Sequence, residues 1–249
     1  MNPLLAELIG TAILIVFGAG VVANVVLART KGGNSGWIVI SWGWAIGVFV
    51  GVFCAQPYSG AHLNPAVTLG LAAAGKFAWN AVAGYVGAQL AGAFLGACIV
   101  GLFYAEHFKV TDDRDAKLAV FCTAPNIRSI PRAFFCEVVG TFFLVLPIFL
   151  MTEARIWLPV AGGGRNSVPV GLGTIGALPV ALLVLGLGLS LGGTTGYAIN
   201  PARDLGPRLA HAFLPLGTKR DADWGYAWVP VVGPLMGGLL AALVALLVL

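Results

Sequence analysis

Charged residues are so widely spaced in this chain that their absence marks its elements. Residues 8–28, 32–75, 77–105, 166–202 and 224–249 carry no Lys, Arg, Asp or Glu, and 133–152 carries only Glu137. A helix needs about 20 residues to cross ~30 Å of hydrocarbon, so 8–28, 77–105, 133–152 and 224–249 each hold one crossing. The runs 32–75 and 166–202 are too long for one crossing and contain Gly, Pro and Asn clusters that no continuous helix tolerates. Each therefore holds a crossing and something shorter. The pattern predicts crossings at about 4–28, 37–55, 80–104, 133–151, 169–190 and 225–248, with short segments at 64–75 and 200–212.

Composition narrows the class. Charged residues make up 10% of the 249 positions and hydrophobic ones 59%, against about 25% charged in a soluble domain. So few charges cannot wet a globule of this size, which argues against a soluble enzyme. A net charge of +4 with no basic stripe argues against a nucleic-acid partner. Cys54, Cys98, Cys122 and Cys136 have no metal-ligand spacing and read as small packing residues, so no metal and no cofactor are expected. The N-terminus has no basic stretch and carries Glu7, so the first span is read as retained rather than cleaved. Residues 105–132 form the one long polar connection.

The two sides of that connection repeat each other. Glu7-Leu-Ile-Gly-Thr recurs 130 residues later as Glu137-Val-Val-Gly-Thr, and Gly60-Ala-His-Leu-Asn-Pro-Ala recurs 136 residues later as Gly196-Tyr-Ala-Ile-Asn-Pro-Ala. Gly92 and Gly96 align with Gly233 and Gly237 at an offset of 141. Three crossings per half force the second half to enter from the opposite face, an inverted repeat whose working site lies at the midplane. The expected organisation is a single transmembrane domain over 1–249, with a first repeat at about 1–104, the connecting loop 105–132 and a second repeat at about 133–249.

Asn is a preferred N-cap and Pro is favoured at the first helical position, so Asn64-Pro65-Ala66 and Asn200-Pro201-Ala202 each start a helix. About 12 residues at 1.5 Å rise give ~18 Å, little more than half the hydrocarbon. Both are half-helices, and in inverted repeats their asparagines meet near the centre. Extended backbone is expected to lead into each. Its unpaired carbonyls, those of Gly60, Ala61, His62, Gly196, Tyr197 and Ala198, are tolerated at that depth only against a water-filled cavity.

Paired Asn-Pro-Ala boxes in inverted halves, the second continuing as Asn200-Pro201-Ala202-Arg203-Asp204, resemble the major intrinsic protein family of water and glycerol channels over essentially the whole chain. The resemblance implies an all-α membrane protein of six transmembrane helices plus two re-entrant half-helices, which is not an enzyme. It implies a passive channel, a homotetramer with one pore per subunit, and a multi-pass location in the cell membrane with both termini cytoplasmic.

In this family the narrowest ring takes one residue from the second span, one from the fifth and two from around the second box, which here are Trp44, Gly188, Tyr197 and Arg203. Water-selective members resemble a Phe/His/small/Arg ring. Glycerol facilitators resemble Trp/Gly/aromatic/Arg, the set present here. Asp204, Arg208 and the Pro230-Val231 pair resemble the glycerol, or aquaglyceroporin, branch as well. The expected solutes are glycerol, other small uncharged molecules and water, with a mainly water-conducting channel as the alternative. Asp204 and Arg208, four residues apart, read either as a solvated helix-end pair or as a pair shaping the mouth.

Half-helix dipoles and Arg203 repel cations and protons, and the amide donors of Asn64 and Asn200 break hydrogen-bonded wires. By the resemblance, Glu7 and Glu137 orient the loop before the half-helix of their own repeat. The competing reading is a proton relay, which would make the chain a secondary transporter. His62 reads as a hydrogen-bonded anchor, and a hydrolase using Ser59 with His62 lacks an oriented acid. The small residues Gly84, Ala88, Gly92 and Gly96 read as close helix packing. One observation opposes the family orientation: only Lys76, Arg155 and Arg165 of the 14 Lys and Arg fall on the inner side, where the positive-inside rule puts the excess. The stretch 152–168, containing Gly162-Gly163-Gly164-Arg165-Asn166, reads as a gate or as a floppy connector.

Overall fold

The computed structural model describes residues 1–160 and 163–249. Among the described residues, six helical segments are long and apolar enough to cross a membrane: α1 (Pro3–Val26), α2 (Trp37–Ser59), α4 (Trp79–Phe103), α7 (Ile130–Leu150), the segment Gly173–Leu191 and α10 (Val229–Val248). The short segments are α3 (Pro65–Ala73) and α9 (Pro201–Phe213), each with Pro at its first position and Asn as its N-cap. Two short helices of six residues, α5 (Ala105–Val110) and α6 (Arg114–Ala119), punctuate the polar connection. The fold is that of a mostly helical multi-pass membrane protein, with one β-hairpin beside the helices.

Two local expectations are corrected. The fifth crossing does not begin at 169: a 3₁₀ turn at Gly173–Ala177 precedes the regular helix α8 (Leu178–Leu191), because Gly171, Gly173 and Pro179 weaken an early start. The stretch 152–168 is not a floppy connector. Its strands β1 (Arg155–Val160) and β2 (Gly164–Pro169) pair antiparallel, Arg155 opposite Pro169 and Val160 opposite Gly164. Gly162 lies outside the described residues.

Helix contacts follow the repeat. α1 packs on α2 and α4, α7 packs on α10, and α2 meets α8. Each half-helix, however, packs against the last span of the other repeat, α3 on α10 and α9 on α4. Small residues permit these approaches, as they do in membrane bundles generally. A Cβ on Gly96 would lie 2.6 Å from the Ala12 carbonyl oxygen of α1, and one on Gly238 would lie 2.6 Å from the Ala66 carbonyl oxygen of α3.

Gly238→Ala is therefore expected to lower the thermal unfolding midpoint of the detergent-solubilised protein, since overpacking costs about 1–3 kcal/mol. Gly20→Ala is the comparison, because its Cβ would meet nothing within 4 Å; its midpoint should be unchanged or raised.

Candidate functional site

The two boxes meet inside the bundle. Asn64 Oδ1 accepts from the Ala66 amide at 2.8 Å, and Asn200 Oδ1 accepts from the amides of Ala202 and Arg203 at 3.0 and 3.2 Å. Each asparagine then reaches across the repeat boundary. Asn64 Nδ2 donates to the Ile199 carbonyl and Asn200 Nδ2 to the Leu63 carbonyl, both at 2.8 Å. An amide nitrogen has two N–H groups, so each asparagine keeps one for the cavity it lines.

That cavity has a volume of about 970 Å³ and runs from Trp44, Tyr197 and Arg203 past Asn64 and Asn200 to Glu153 and Thr174. Gly60, Ala61, His62 and Ala198 also line it, whereas Gly196 does not. Pro65, Ala66, Pro201 and Ala202 are buried behind it, shaping the helix starts. The base of the β-hairpin, including Ala154 and Pro169, lines the end away from Arg203.

The backbone leading into the half-helices is not extended as expected. Gly60, Ala61 and Leu63 have φ of 79°, 52° and 50°, and Gly196, Tyr197 and Ile199 repeat this with 84°, 37° and 43°. A left-handed conformation costs a non-glycine residue of order 1–3 kcal/mol and persists only where the surroundings over-determine it. Buried carboxylates do so here. Glu7 accepts from the amides of His62 and Leu63 at 2.9 and 2.7 Å, from Ser59 Oγ at 2.7 Å and from Gln89 Nε2 at 2.7 Å. Glu137 accepts from the amides of Ala198 and Ile199 at 3.0 and 2.9 Å and from Thr195 Oγ1 at 2.8 Å. With the N–H groups turned to the acids, no protein donor reaches the carbonyls of Gly60, Ala61, His62, Gly196, Tyr197 or Ala198 among the described residues.

At one end the Arg203 guanidinium stands 4.0 Å from the centre of the Trp44 ring. Arg203 donates no side-chain hydrogen bond to the described protein, which leaves its N–H groups for the cavity. Gly188 is not itself a lining residue. A Cβ there would lie 2.8 Å from Tyr197 Oη, so the Tyr197 ring takes the space a side chain at 188 would need.

Beside this end, Asp204 and Arg208 are not a solvated pair. Both are fully buried, 2.8 Å apart. Asp204 accepts from the amide and hydroxyl of Thr123, both at 2.7 Å, and Arg208 donates to the carbonyls of Ala222 and Thr123 at 2.6 and 2.9 Å. The pair fastens two connecting loops onto α9. Asp223 extends the clasp through Arg128 at 2.8 Å, and this bonding holds the Asp223 carboxyl below the usual carboxylate range. Its contribution is present above the ordinary carboxylate pKa and is lost as pH falls through the lowered value.

The sequence model of the major intrinsic protein family matches residues 1–245. The chain belongs to the major intrinsic protein family. Among relatives, a probable glycerol uptake facilitator of Thermotoga maritima is 52% identical over 242 residues, covering 97% of each chain. A glycerol uptake facilitator of Streptococcus pneumoniae is 49% identical over 244 residues, 98% of each. The X-ray structure of the aquaglyceroporin from Plasmodium falciparum superposes with a TM-score of 0.81 at 31% identity, covering 98% of this chain and 95% of that one.

Several residues of this major intrinsic protein site escaped sequence reasoning. Gln89 bonds both Glu7 and, at 3.0 Å, Thr68; a buried amide in a span was its only signal. Ser59 and Thr195, both hydroxyl-bearing at the repeat offset, serve Glu7 and Glu137. Ser59 forms no relay with His62, whose ring instead meets Thr68 Oγ1 at 3.1 Å. Pro230, buried at the start of α10, stands at the position that Gln89 fills in the first repeat. His107 bonds the Ala28 carbonyl and His211 packs on Phe121; neither lines the cavity.

Glu7→Gln replaces an accepting oxygen with an NH₂ group that faces N–H donors. It is expected to destabilise the protein by about 1–3 kcal/mol, read as a lowered unfolding midpoint. Glu137→Gln should cost less, because three donors converge there rather than four.

Proposed function

We propose that this chain is a passive channel for glycerol and other small uncharged solutes, together with water, that excludes protons and ions. The observation that carries this is the slot at the Arg203 end: the guanidinium over the Trp44 face at 4.0 Å, with Tyr197 packed over Gly188. A polyol lays its carbon chain against the Trp44 and Tyr197 rings while its hydroxyls accept from Arg203 and donate to the unpaired loop carbonyls. The glycerol uptake facilitators among its relatives agree with that chemistry.

The proposed filter is Trp44, Gly188, Tyr197 and Arg203, and the proposed central constriction is the pair of Asn-Pro-Ala boxes. At the centre, the free N–H of Asn64 and of Asn200 donates to a passing oxygen, which then cannot accept from a neighbouring solute. Both half-helix N-termini point partial positive charge there, and Arg203 adds a full charge, so cations and protons are repelled. Glu7 and Glu137 act as scaffolds in this reading. Their convergent donors favour it over a proton relay, since taking up a proton would cost bonds that hold the strained loops.

The proposed setting is the cell membrane, with both termini cytoplasmic and four copies assembled, one pore in each. The count of cations is the opposing observation. Arg203, Arg208 and Lys117 are buried in the fold, however, and Lys219 caps the α9 end by donating to the carbonyls of Ala212 and Leu214 at 3.0 and 2.7 Å. The outer charge free to act on topology is smaller than the raw count.

Stopped-flow light scattering on proteoliposomes tests the function: the chain should pass both glycerol and water. Gly188→His forces the Tyr197 ring aside and narrows the slot. Glycerol permeability is expected to fall at least about tenfold, a barrier increase of ~1.4 kcal/mol, with water much less affected. Equal loss of both would remove Gly188 from the filter.

Arg203→Val should leave α9 intact, because its cap depends on Asn200, and should keep water and glycerol permeable while adding a small proton leak. Proton-driven dye quenching in the same vesicles measures it. A folded, permeable variant without added leak would leave exclusion to the asparagines and helix ends alone.

A further inference from the structure

The outermost aromatic residue of α2 is built into the wall of the slot without lining it. Trp37 is the first residue of α2, whose N-cap Gly36 offers no side-chain bond. Its indole Nε1 donates to the Gly188 carbonyl at 2.8 Å. Gly188 sits in the last turn of α8, where helix carbonyls lack partners of their own, so the indole supplies an acceptor's missing donor. The same ring stands edge-on to Tyr197, with centroids 5.8 Å apart and planes at 74°, a favoured aromatic geometry.

The seat for these two rings is a pair of glycines one helical turn apart. A Cβ at residue 192 would lie 2.7 Å from Trp37 Cζ2 and 2.6 Å from Tyr197 Cδ1, and one at residue 188 would lie 2.8 Å from Tyr197 Oη and 3.1 Å from Ser41 Oγ. Ser41 in turn donates to the Trp37 carbonyl at 3.0 Å. Trp37, Ser41 and Trp44 fall four and three residues apart, on one face of α2. Trp42, 49% exposed, points away from that face. Trp37 is not a cavity-lining residue.

We infer that Trp37 is a specificity-positioning residue, a latch between the repeats that holds Tyr197 against Gly188 and thereby sets the width of the slot. The inference rests on the filter reading above. Its physical content is that Tyr197, on a left-handed backbone with φ 37°, is held in place by packing, and that the indole N–H fixes the partner against which it packs. Without that N–H the Gly188 carbonyl is left unpaired, water enters behind the ring, and Tyr197 gains room to swing. A looser slot passes larger polyols more easily while water, already small, is little affected.

The experiment compares wild type, Trp37→Phe, Trp42→Phe, Gly192→Ala and Gly188→His in proteoliposomes, with glycerol, xylitol and water permeabilities measured by stopped-flow. Trp37→Phe keeps an aromatic ring and removes the donor. The glycerol-to-xylitol ratio should fall about three- to tenfold, the worth of one hydrogen bond, with water permeability within about twofold of wild type. Trp42→Phe should leave the ratio unchanged. An unchanged ratio in a folded Trp37→Phe variant overturns the inference. Should that variant fail to fold, Gly192→Ala, which wedges between the two rings with the indole N–H present, must alter the ratio or the inference falls. If Gly188→His leaves glycerol and water equally affected, the filter reading has failed instead; if it separates them and neither ring variant shifts the ratio, only the role of Trp37 is lost.

Discussion

The structure depends on two carboxylates doing, at membrane depth, what water does for a loop at a protein surface. A backbone amide left unpaired in hydrocarbon costs several kcal/mol, and each re-entrant loop presents two that no helix can satisfy. Glu7 takes those of His62 and Leu63, and Glu137 takes those of Ala198 and Ile199. Because the N–H groups are fixed on one side, the carbonyls are committed to the other. The left-handed residues Ala61, Leu63, Tyr197 and Ile199 are the conformational cost of that division. Once the loops are held, the asparagines that cap the half-helices stand close enough to bond each other's loop.

The two repeats solve this problem with different residues. Thr68 in the first half corresponds to Asp204 in the second, His62 to Ala198, and Gln89 to Pro230. In the first repeat a hydrogen-bond network links Glu7, Gln89, Thr68 and the His62 ring. In the second, the buried Asp204–Arg208 pair replaces it and reaches outward to Thr123 and Ala222. A buried ion pair is weak as a source of stability; its effect here is positional, since it anchors connecting loops beside Arg203. The second half therefore carries Arg203 and the loops anchored beside it, and the first half carries a simpler version of the same frame.

Much of this was legible in the sequence because the membrane punishes exceptions. The six crossings follow from where charge is missing, and the half-helices follow from Asn-Pro pairs that can only start a helix. What escaped notice depended on contacts between distant residues. Gln89 looks like any polar residue in a span until Glu7 is found beside it. Trp37 gives no sign of a partner in the sequence until the end of α8 arrives to receive its N–H. Gly188 is legible as small, but the ring that needs its smallness comes from the loop at 197. The hairpin at 155–169 escaped because six-residue strands exposed on both faces have no buried side to impose alternation. The left-handed loops escaped because Ala, Leu, Tyr and Ile have no preference for that conformation.

The exchange of half-helices between repeats has a consequence for how the chain is made. α3 finds its seat on α10, which leaves the ribosome after α1 to α9, whereas α9 meets α4, which precedes it. During synthesis the first box is therefore complete in sequence long before Gly238 exists to receive it, and its loop must wait with Glu7 as its main support. Domains tend to fold in the order they emerge, but here neither repeat contains its own finished core, so the halves cannot mature independently. α10 acts as a keystone. Truncating the chain ahead of α10 removes the main wall of the first half-helix and leaves only its smaller contacts with α4 and α7.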